Sequence, residues 1–150
     1  MARLTVVGED VLIGRVGGER GIADGGALRS TSNGNMYLGN IVVLDSARVN
    51  SDVGTLILGS NTSSITGGQL TVGGAGNTTL LAALNMTSFV KDGPGDAVFA
   101  GTQSNTYTGD TSLLGGNLSL AKTGGAVAIA GNIILGSATG NGLEVLALGG

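Results

Sequence analysis

The stretch Lys91-Asp92-Gly93-Pro94-Gly95-Asp96-Ala97-Val98-Phe99, continued by Asn105-Thr106-Tyr107-Thr108-Gly109-Asp110-Thr111 and by Gly115-Gly116-Asn117-Leu118-Ser119-Leu120, decides how this chain folds. Each piece alternates apolar and polar residues over a few positions and is bounded by glycine, the pattern of a short strand ending in a turn. Working outward, the same wording recurs as Gly-Asn-Met36-Tyr-Leu38-Gly, Gly-Thr-Leu56-Ile-Leu58-Gly, Gly-Gln-Leu70-Thr-Val72-Gly, Gly-Asn-Leu118-Ser-Leu120 and Gly-Asn-Ile133-Ile-Leu135-Gly. Glycine opens each unit, and apolar residues stand two and four places on. Side chains alternate faces along a strand, so both apolar positions face one side and the residue between them faces the other. Leu56, Leu58, Leu70, Val72, Leu118, Leu120, Ile133 and Leu135 are therefore expected to point inward. The opening glycines at 34, 54, 68, 116 and 131 are separated by 20, 14, 48 and 15 residues, the irregular spacing of a repeat whose corners vary in length.

Between the units, Asn33-Gly34, Gly67-Gly68, Gly73-Gly74, Gly115-Gly116, Gly124-Gly125 and Gly149-Gly150 mark places where the chain turns sharply. The one helical hint, Leu80-Leu81-Ala82-Ala83-Leu84-Asn85-Met86, is too short to outweigh its surroundings. Thr78 through Leu81 and Thr87 through Val90 read instead as two strands with a corner between them.

Composition narrows the architecture. Glycine takes 30 of the 150 positions and aromatic residues only 3%, so the chain turns often and lacks the bulky rings that usually fill a β-sandwich. Valine, isoleucine and leucine nevertheless give an ordinary apolar share, which argues against disorder. Without a hairpin grammar of two-residue turns, stacking of like on like is favoured over an antiparallel sandwich or barrel. The expected fold is all-β, a parallel (right-handed) β-helix or solenoid, with residues 1–150 forming one region of it. Asparagine occurs eleven times. Asn40, Asn105, Asn117 and Asn132 fall where they would either stack in hydrogen-bonded ladders from coil to coil or accept left-handed turn geometry.

Charge and reactive residues exclude several functions. Cysteine and histidine are both absent, so disulfides, thiolate or imidazole metal sites and histidine acid–base catalysis are impossible. The basic residues Arg3, Arg15, Arg20, Arg29, Arg48, Lys91 and Lys122 are scattered in a chain of net charge −3, which makes nucleic acid a poor partner. Val53 through Val90 carries no ionisable side chain, yet polar residues and glycine interrupt every apolar run well short of the ~20 residues a membrane span needs. The start, Met1 through Gly8, has one arginine and a brief apolar run cut off by Glu9 and Asp10, so no secretory signal is read there.

The opening stretch resembles the consensus of the autotransporter-associated β-strand repeat, close to K-x-G-x-G-x-L-x-L-x-G-x-N-x-Y-x-G-x-T. Lys91, Gly93, Gly95, Gly101, Asn105, Tyr107, Gly109 and Thr111 carry it, followed by Gly116, Leu118 and Leu120. Ala27 through Leu56, Gly73-Gly74-Ala75-Gly76-Asn77-Thr78-Thr79 and Leu120 through Ile133 resemble the segments flanking such repeats. The likeness thus covers roughly 27–148, with 1–26 weakly matched. Pro94 and Asp96 stand where alanine or glycine and threonine are usual, and Leu113-Leu114 replaces a valine–polar pair. The resemblance implies a fragment of a secreted passenger displayed on a bacterial cell surface. Its partners would be the rest of its passenger and a C-terminal outer-membrane barrel, and its role that of a stalk promoting translocation by stepwise folding. These motif residues would then be structural, with no catalytic, cofactor or metal role.

Two other classes stand beside that one. An adhesin would use a solenoid face for host glycan or for another copy of itself. A β-helical polysaccharide-degrading enzyme would use carboxylates on one face, with Asp92, Asp96 and Asp110 as the candidates, but no histidine accompanies them and they read more simply as turn formers. A calcium nonapeptide lacks its glycine pair at Gly93-Pro94-Gly95-Asp96. A phosphate loop at Gly116 through Lys122-Thr123 lacks its second glycine and its helix.

Overall fold

The computed structural model describes residues 5–6, 11–13, 26–136 and 144–149. Arg3, Arg15, Arg20, most of the Met1–Gly8 start and Gly150 of the last glycine pair lie outside the described residues. Among those described, the chain is all-β without a helix: a β-solenoid of about five turns with parallel strands in two sheets. The strands are β1 (Thr5–Val6), β2 (Val11–Ile13), β3 (Leu28–Ser30), β4 (Asn35–Tyr37), β5 (Ile41–Ser51), β6 (Thr55–Leu58) and β7 (Ser64–Gly73). They continue as β8 (Asn77–Leu80), β9 (Ala83–Lys91), β10 (Asp96–Phe99), β11 (Thr111–Leu113), β12 (Gly116–Leu120), β13 (Ile133–Leu135) and β14 (Glu144–Leu148).

The first sheet runs β1-β4-β6-β8-β10-β12-β14, and the second runs β13-β11-β9-β7-β5-β2 with β3 also on β5. From β3 onward successive strands fall alternately in the two sheets, so each turn of the solenoid contributes to both. In the first sheet Ile57 pairs with Thr79, Thr79 with Val98 and Val98 with Ser119, steps of 22, 19 and 21 residues. In the second, Ile65 pairs with Leu84, Phe89 with Thr111 and Thr111 with Ile133, steps of 19, 22 and 22. The irregular glycine spacing now has its reason. Gly34, Gly54 and Gly116 open strands of the first sheet, whereas Gly68 and Gly131 belong to the second. From Gly54 to Gly116, and from Gly68 to Gly131, the chain makes three whole turns.

The long strands of the second sheet each bend into two arms. In β5, Ile41 and Val43 are buried, Leu44 and Asp45 are exposed, and Ala47 and Val49 are buried again, with the register slipping between Val43 and Ser46. Gly67 answers this bulge in β7: its φ of 107° suits glycine, and a Cβ there would strike the Val43 carbonyl. Three inward arms per turn build the core. In the first sheet Tyr37, Leu58, Leu80 and Phe99 stack in register, as do Leu56, Thr78, Ala97 and Leu118. In the second sheet the second arm stacks Ala47, Leu70, Phe89 and Thr111, all buried. Burying one such leucine or phenylalanine contributes about 1.5–3 kcal/mol, so a thin core suffices if every turn supplies several. All four aromatic residues are in it, and Phe89 meets Phe99 edge-on at 4.8 Å between ring centroids.

Five of the eight residues expected inward, Leu56, Leu58, Leu70, Val72 and Leu118, are buried, and Leu120 packs half-buried against the core. Ile133 and Leu135 hold the same register as buried Thr111 and Leu113 but are 40% and 57% exposed, because among the described residues no strand pairs beyond β13. The Met36/Leu38 unit is reversed: Tyr37 points inward above Leu58, and its hydroxyl donates to the Asn40 carbonyl at 3.1 Å. A one-residue slip in a period-two pattern exchanges faces, and burying the larger ring wins here. The corner expected between Thr78–Leu81 and Thr87–Val90 falls earlier, at Leu81 and Ala82, so that Leu84 and Met86 enter the core from β9.

Candidate functional site

The residues that carry the repeat pattern converge on the wall itself. Lys91 ends β9 in an inward row between Val72 and Leu113, and it is only 1% exposed. Its ammonium turns into the corner that leads to β10 and donates to the carbonyls of Asp92 at 2.6 Å, Gly93 at 2.9 Å and Gly115 at 3.1 Å. Two of these carbonyls belong to its own turn and one to the next, so the cation staples coil to coil. Burial lowers the Lys91 pKa from its ordinary value, against the pull of Asp92 and Asp96 and with a push from Arg48. Gly93, Gly95 and Gly116 make the corner thin enough for this. A Cβ on Gly95 would strike the Gly76 carbonyl of the previous turn, and one on Gly116 would lie 2.5 Å from the Gly95 carbonyl and 2.9 Å from the Lys91 ammonium.

A second group occupies the following turn. Asn105 is buried, accepts the Leu84 amide at 3.0 Å from one side and donates to the Ala128 carbonyl at 2.7 Å on the other. Its side chain thereby replaces ladder bonds between three successive turns. Tyr107 is buried beside it, its hydroxyl 2.6 Å from that of Thr111, and burial pushes its pKa up to about 12. Gly109 lies against the Thr87 carbonyl and Gly101, with φ of 90°, against that of Leu81. Leu118 and Leu120 sit on β12, which leaves the Gly115–Gly116 corner stacked on that of Lys91.

Sequence reading missed Lys122 as a second staple. It is 8% exposed, and its ammonium reaches the Ala100 carbonyl at 3.0 Å and that of Ala82 at 3.5 Å, on two earlier turns. Burial lowers its pKa as well. With its amine turned inward, Lys122 is not presented to a phosphate. Also unforeseen was the ion pair of Arg48 with Asp92, two-pronged at 2.6 and 2.8 Å across two turns. It passes over Gly73, where any Cβ would meet both charged groups. Arg48 also donates to Asn50, Asn50 to Asp52, and Arg29 to Asp52, which holds the Asp52 carboxyl below the usual range. The signal for these pairs exists in the sequence only as separations of about one or two turns, unreadable before the turn length is known.

The remaining candidates are likewise engaged across turns. Asp96 accepts from Asn117 at 2.7 Å, and its amide donates to Asn77 at 3.1 Å. Asp110 accepts from Asn132 at 3.2 Å, and Asn40 accepts the Ser64 amide at 2.9 Å. The four asparagines thus bridge neighbouring turns, but to backbone and aspartate in place of an asparagine ladder. Among the described residues no group of three or more acidic side chains gathers that would hold a metal ion, and no helix is long and apolar enough to cross a membrane. The arrangement satisfies buried backbone between coils and fixes their stacking. No family model, curated protein or solved structure matches the chain.

Proposed function

We propose that this chain is a passenger segment of a secreted bacterial surface protein, a solenoid stalk whose stepwise folding outside the cell promotes outer-membrane translocation. One observation carries this reading: the polar residues of the repeat pattern spend their bonds on neighbouring turns. Lys91 closes onto Gly115 and Asn105 ties Leu84 to Ala128, each bond completed only when the next turn arrives. A chain emerging from a pore would gain such bonds and bury apolar rows turn by turn, and the gain opposes backward sliding. The carboxylates of the alternative polysaccharide-cleaving reading are held by Arg48, Asn117 and Asn132.

The test is surface display of the full-length parent. Leu118→Asp, which interrupts an inward row, is expected to lower the amount of protease-resistant passenger outside the cell severalfold. Asp92→Asn combined with Asp96→Asn should leave display intact. Normal display of Leu118→Asp, or loss of a glycan-cleaving activity in the displayed double variant, would overturn the reading.

A further inference from the structure

One corner of the solenoid carries a reactive pair. Asn33-Gly34 lies in the turn between β3 and β4, in a bend whose residues Thr31 to Gly34 are all exposed. Among the described residues it is the one Asn-Gly step, and every other described asparagine precedes a residue with a side chain. All of those except Asn85 also hold a hydrogen bond through the side-chain amide, Asn35 to Ser30 and the others mostly to another turn. Asn85 itself sits within β9, ahead of the buried Met86. The Asn33 amide has no partner among the described residues, and the Gly34 N–H donates to none of their carbonyls. Space around the pair is open. A Cβ on Gly34 would meet nothing within 4 Å, and the residue of the next turn that faces the corner is another glycine. A Cβ on that residue, Gly54, would lie 2.9 Å from the Asn33 Cα and 3.2 Å from both the Asn33 Oδ1 and the Gly34 nitrogen. Its absence leaves the side-chain amide room to swing onto the nitrogen.

From this corner we infer that Asn33 is a site of spontaneous deamidation, converted to aspartate and isoaspartate through a cyclic imide formed with Gly34. Water is the only co-reactant. The Gly34 nitrogen, having lost its proton, attacks the Asn33 Cγ; a C–N bond forms, and the side-chain nitrogen takes up a proton and leaves as ammonia. Water then opens the imide at either carbonyl. Attack at Cγ restores the ordinary backbone and leaves aspartate, whereas attack at the main-chain carbonyl leaves Gly34 joined through Cγ, which is isoaspartate. Glycine favours ring closure because no side chain crowds its nitrogen and its backbone turns freely. The Asp92-Gly93 step, the corresponding aspartate pair among the described residues, is held differently: Arg48 grips both carboxylate oxygens, at 2.6 and 2.8 Å. Either product at position 33 sets a new negative charge against Gly54. Isoaspartate also adds one carbon to the backbone two residues before β4, on the turn that seats Tyr37 over Leu58.

Incubating the folded chain in mildly alkaline buffer and following its proteolytic peptides by tandem mass spectrometry tests the inference. Peptide mapping separates Asn33 from Asn141-Gly142, the second Asn-Gly step of the sequence, which lies outside the described residues. The Asn33 peptide should gain the mass difference of an amide turned into an acid at least about tenfold faster than any other described asparagine, a barrier lower by about 1.4 kcal/mol or more. Protein isoaspartyl methyltransferase with labelled S-adenosylmethionine should place methyl groups on that same peptide. Gly34→Ala, with its folding checked by circular dichroism, should slow conversion at Asn33 at least about tenfold. The same ratio should separate the two chains unfolded in urea, where the folding of the variant plays no part. Asn33 that stays intact in the folded chain while converting in urea would overturn the proposal, since the corner would then be holding the amide off the nitrogen. So would a Gly34→Ala chain that converts as fast as wild type, or conversion spread evenly over the described asparagines.

Discussion

Lys91 shows how a single residue can close a fold that has no disulfides. Its stem fills an inward row while its ammonium satisfies three carbonyls that a glycine-built corner would otherwise leave buried and unpaired. Lys91→Met keeps the stem and removes the donors; it should destabilise the chain by about 2–4 kcal/mol in urea melts. Little or no loss would mean that the carbonyls find other donors. Tyr107 makes a pH-dependent contribution of known sign. Its folded pKa is raised to about 12 from an ordinary 10, so between those values the unfolded chain sheds the phenolic proton first and stability falls as pH rises. Lys91 and Lys122, whose pKa values are lowered, act oppositely: stability rises with pH as the folded amines discharge before the unfolded ones. Comparing Tyr107→Phe with wild type cancels the lysines. The variant should start about 1 kcal/mol less stable at neutral pH, having lost the bond to Thr111, and should escape a further loss of roughly 2 kcal/mol above pH 10. Parallel pH profiles for the two proteins would contradict the burial assigned to Tyr107.

At the scale of strands, the alternation of Gly-x-apolar-x-apolar was enough to identify inward faces wherever the two apolar residues had no larger competitor between them. Leu56 and Leu58, Leu70 and Val72, and Leu118 follow the rule. Met36-Tyr37-Leu38 breaks it because the larger ring stands between the two apolar positions and is taken inward onto Leu58 of the neighbouring turn. The Leu80–Met86 segment failed for a related reason. Its alanines and leucines carry no glycine to mark the corner at Leu81 and Ala82. Lys91, Gly93, Gly95, Asn105 and Tyr107 were legible as a set through the repeat wording, but their bonding was not, since each partner lies on another turn. The face assignment has a direct check. Leu118→Asp buries an unpaired carboxylate and should cost several kcal/mol, whereas Ser119→Asp on the outer face should change stability by about 0.5 kcal/mol or less. Equal losses from the two in denaturant melts would refute the inward and outward assignment.

For the molecule as a whole, structure is nearly one-dimensional: each turn contacts the turns before and after it, and stability accumulates along the axis. Whole turns are therefore the natural unit of change. Phe99 pairs with Leu120, so deleting residues 99–119 joins Val98 to a residue already in register and removes one complete turn. In the shortened chain Ile133 would stack on Phe89, and Leu135 on Lys91, both already in the same inward rows. Deleting residues 105–115 instead removes the second-sheet half of a turn and leaves the first-sheet strands without their connection. Urea melts of the two deletions, read by far-ultraviolet circular dichroism, test in-register stacking of turns most directly. The whole-turn deletion should keep a cooperative transition and β-sheet spectrum, with only modestly reduced stability, while the half-turn deletion should lose both. A whole-turn deletion that unfolds as completely as the half-turn one, or a half-turn deletion that folds normally, would contradict the solenoid account.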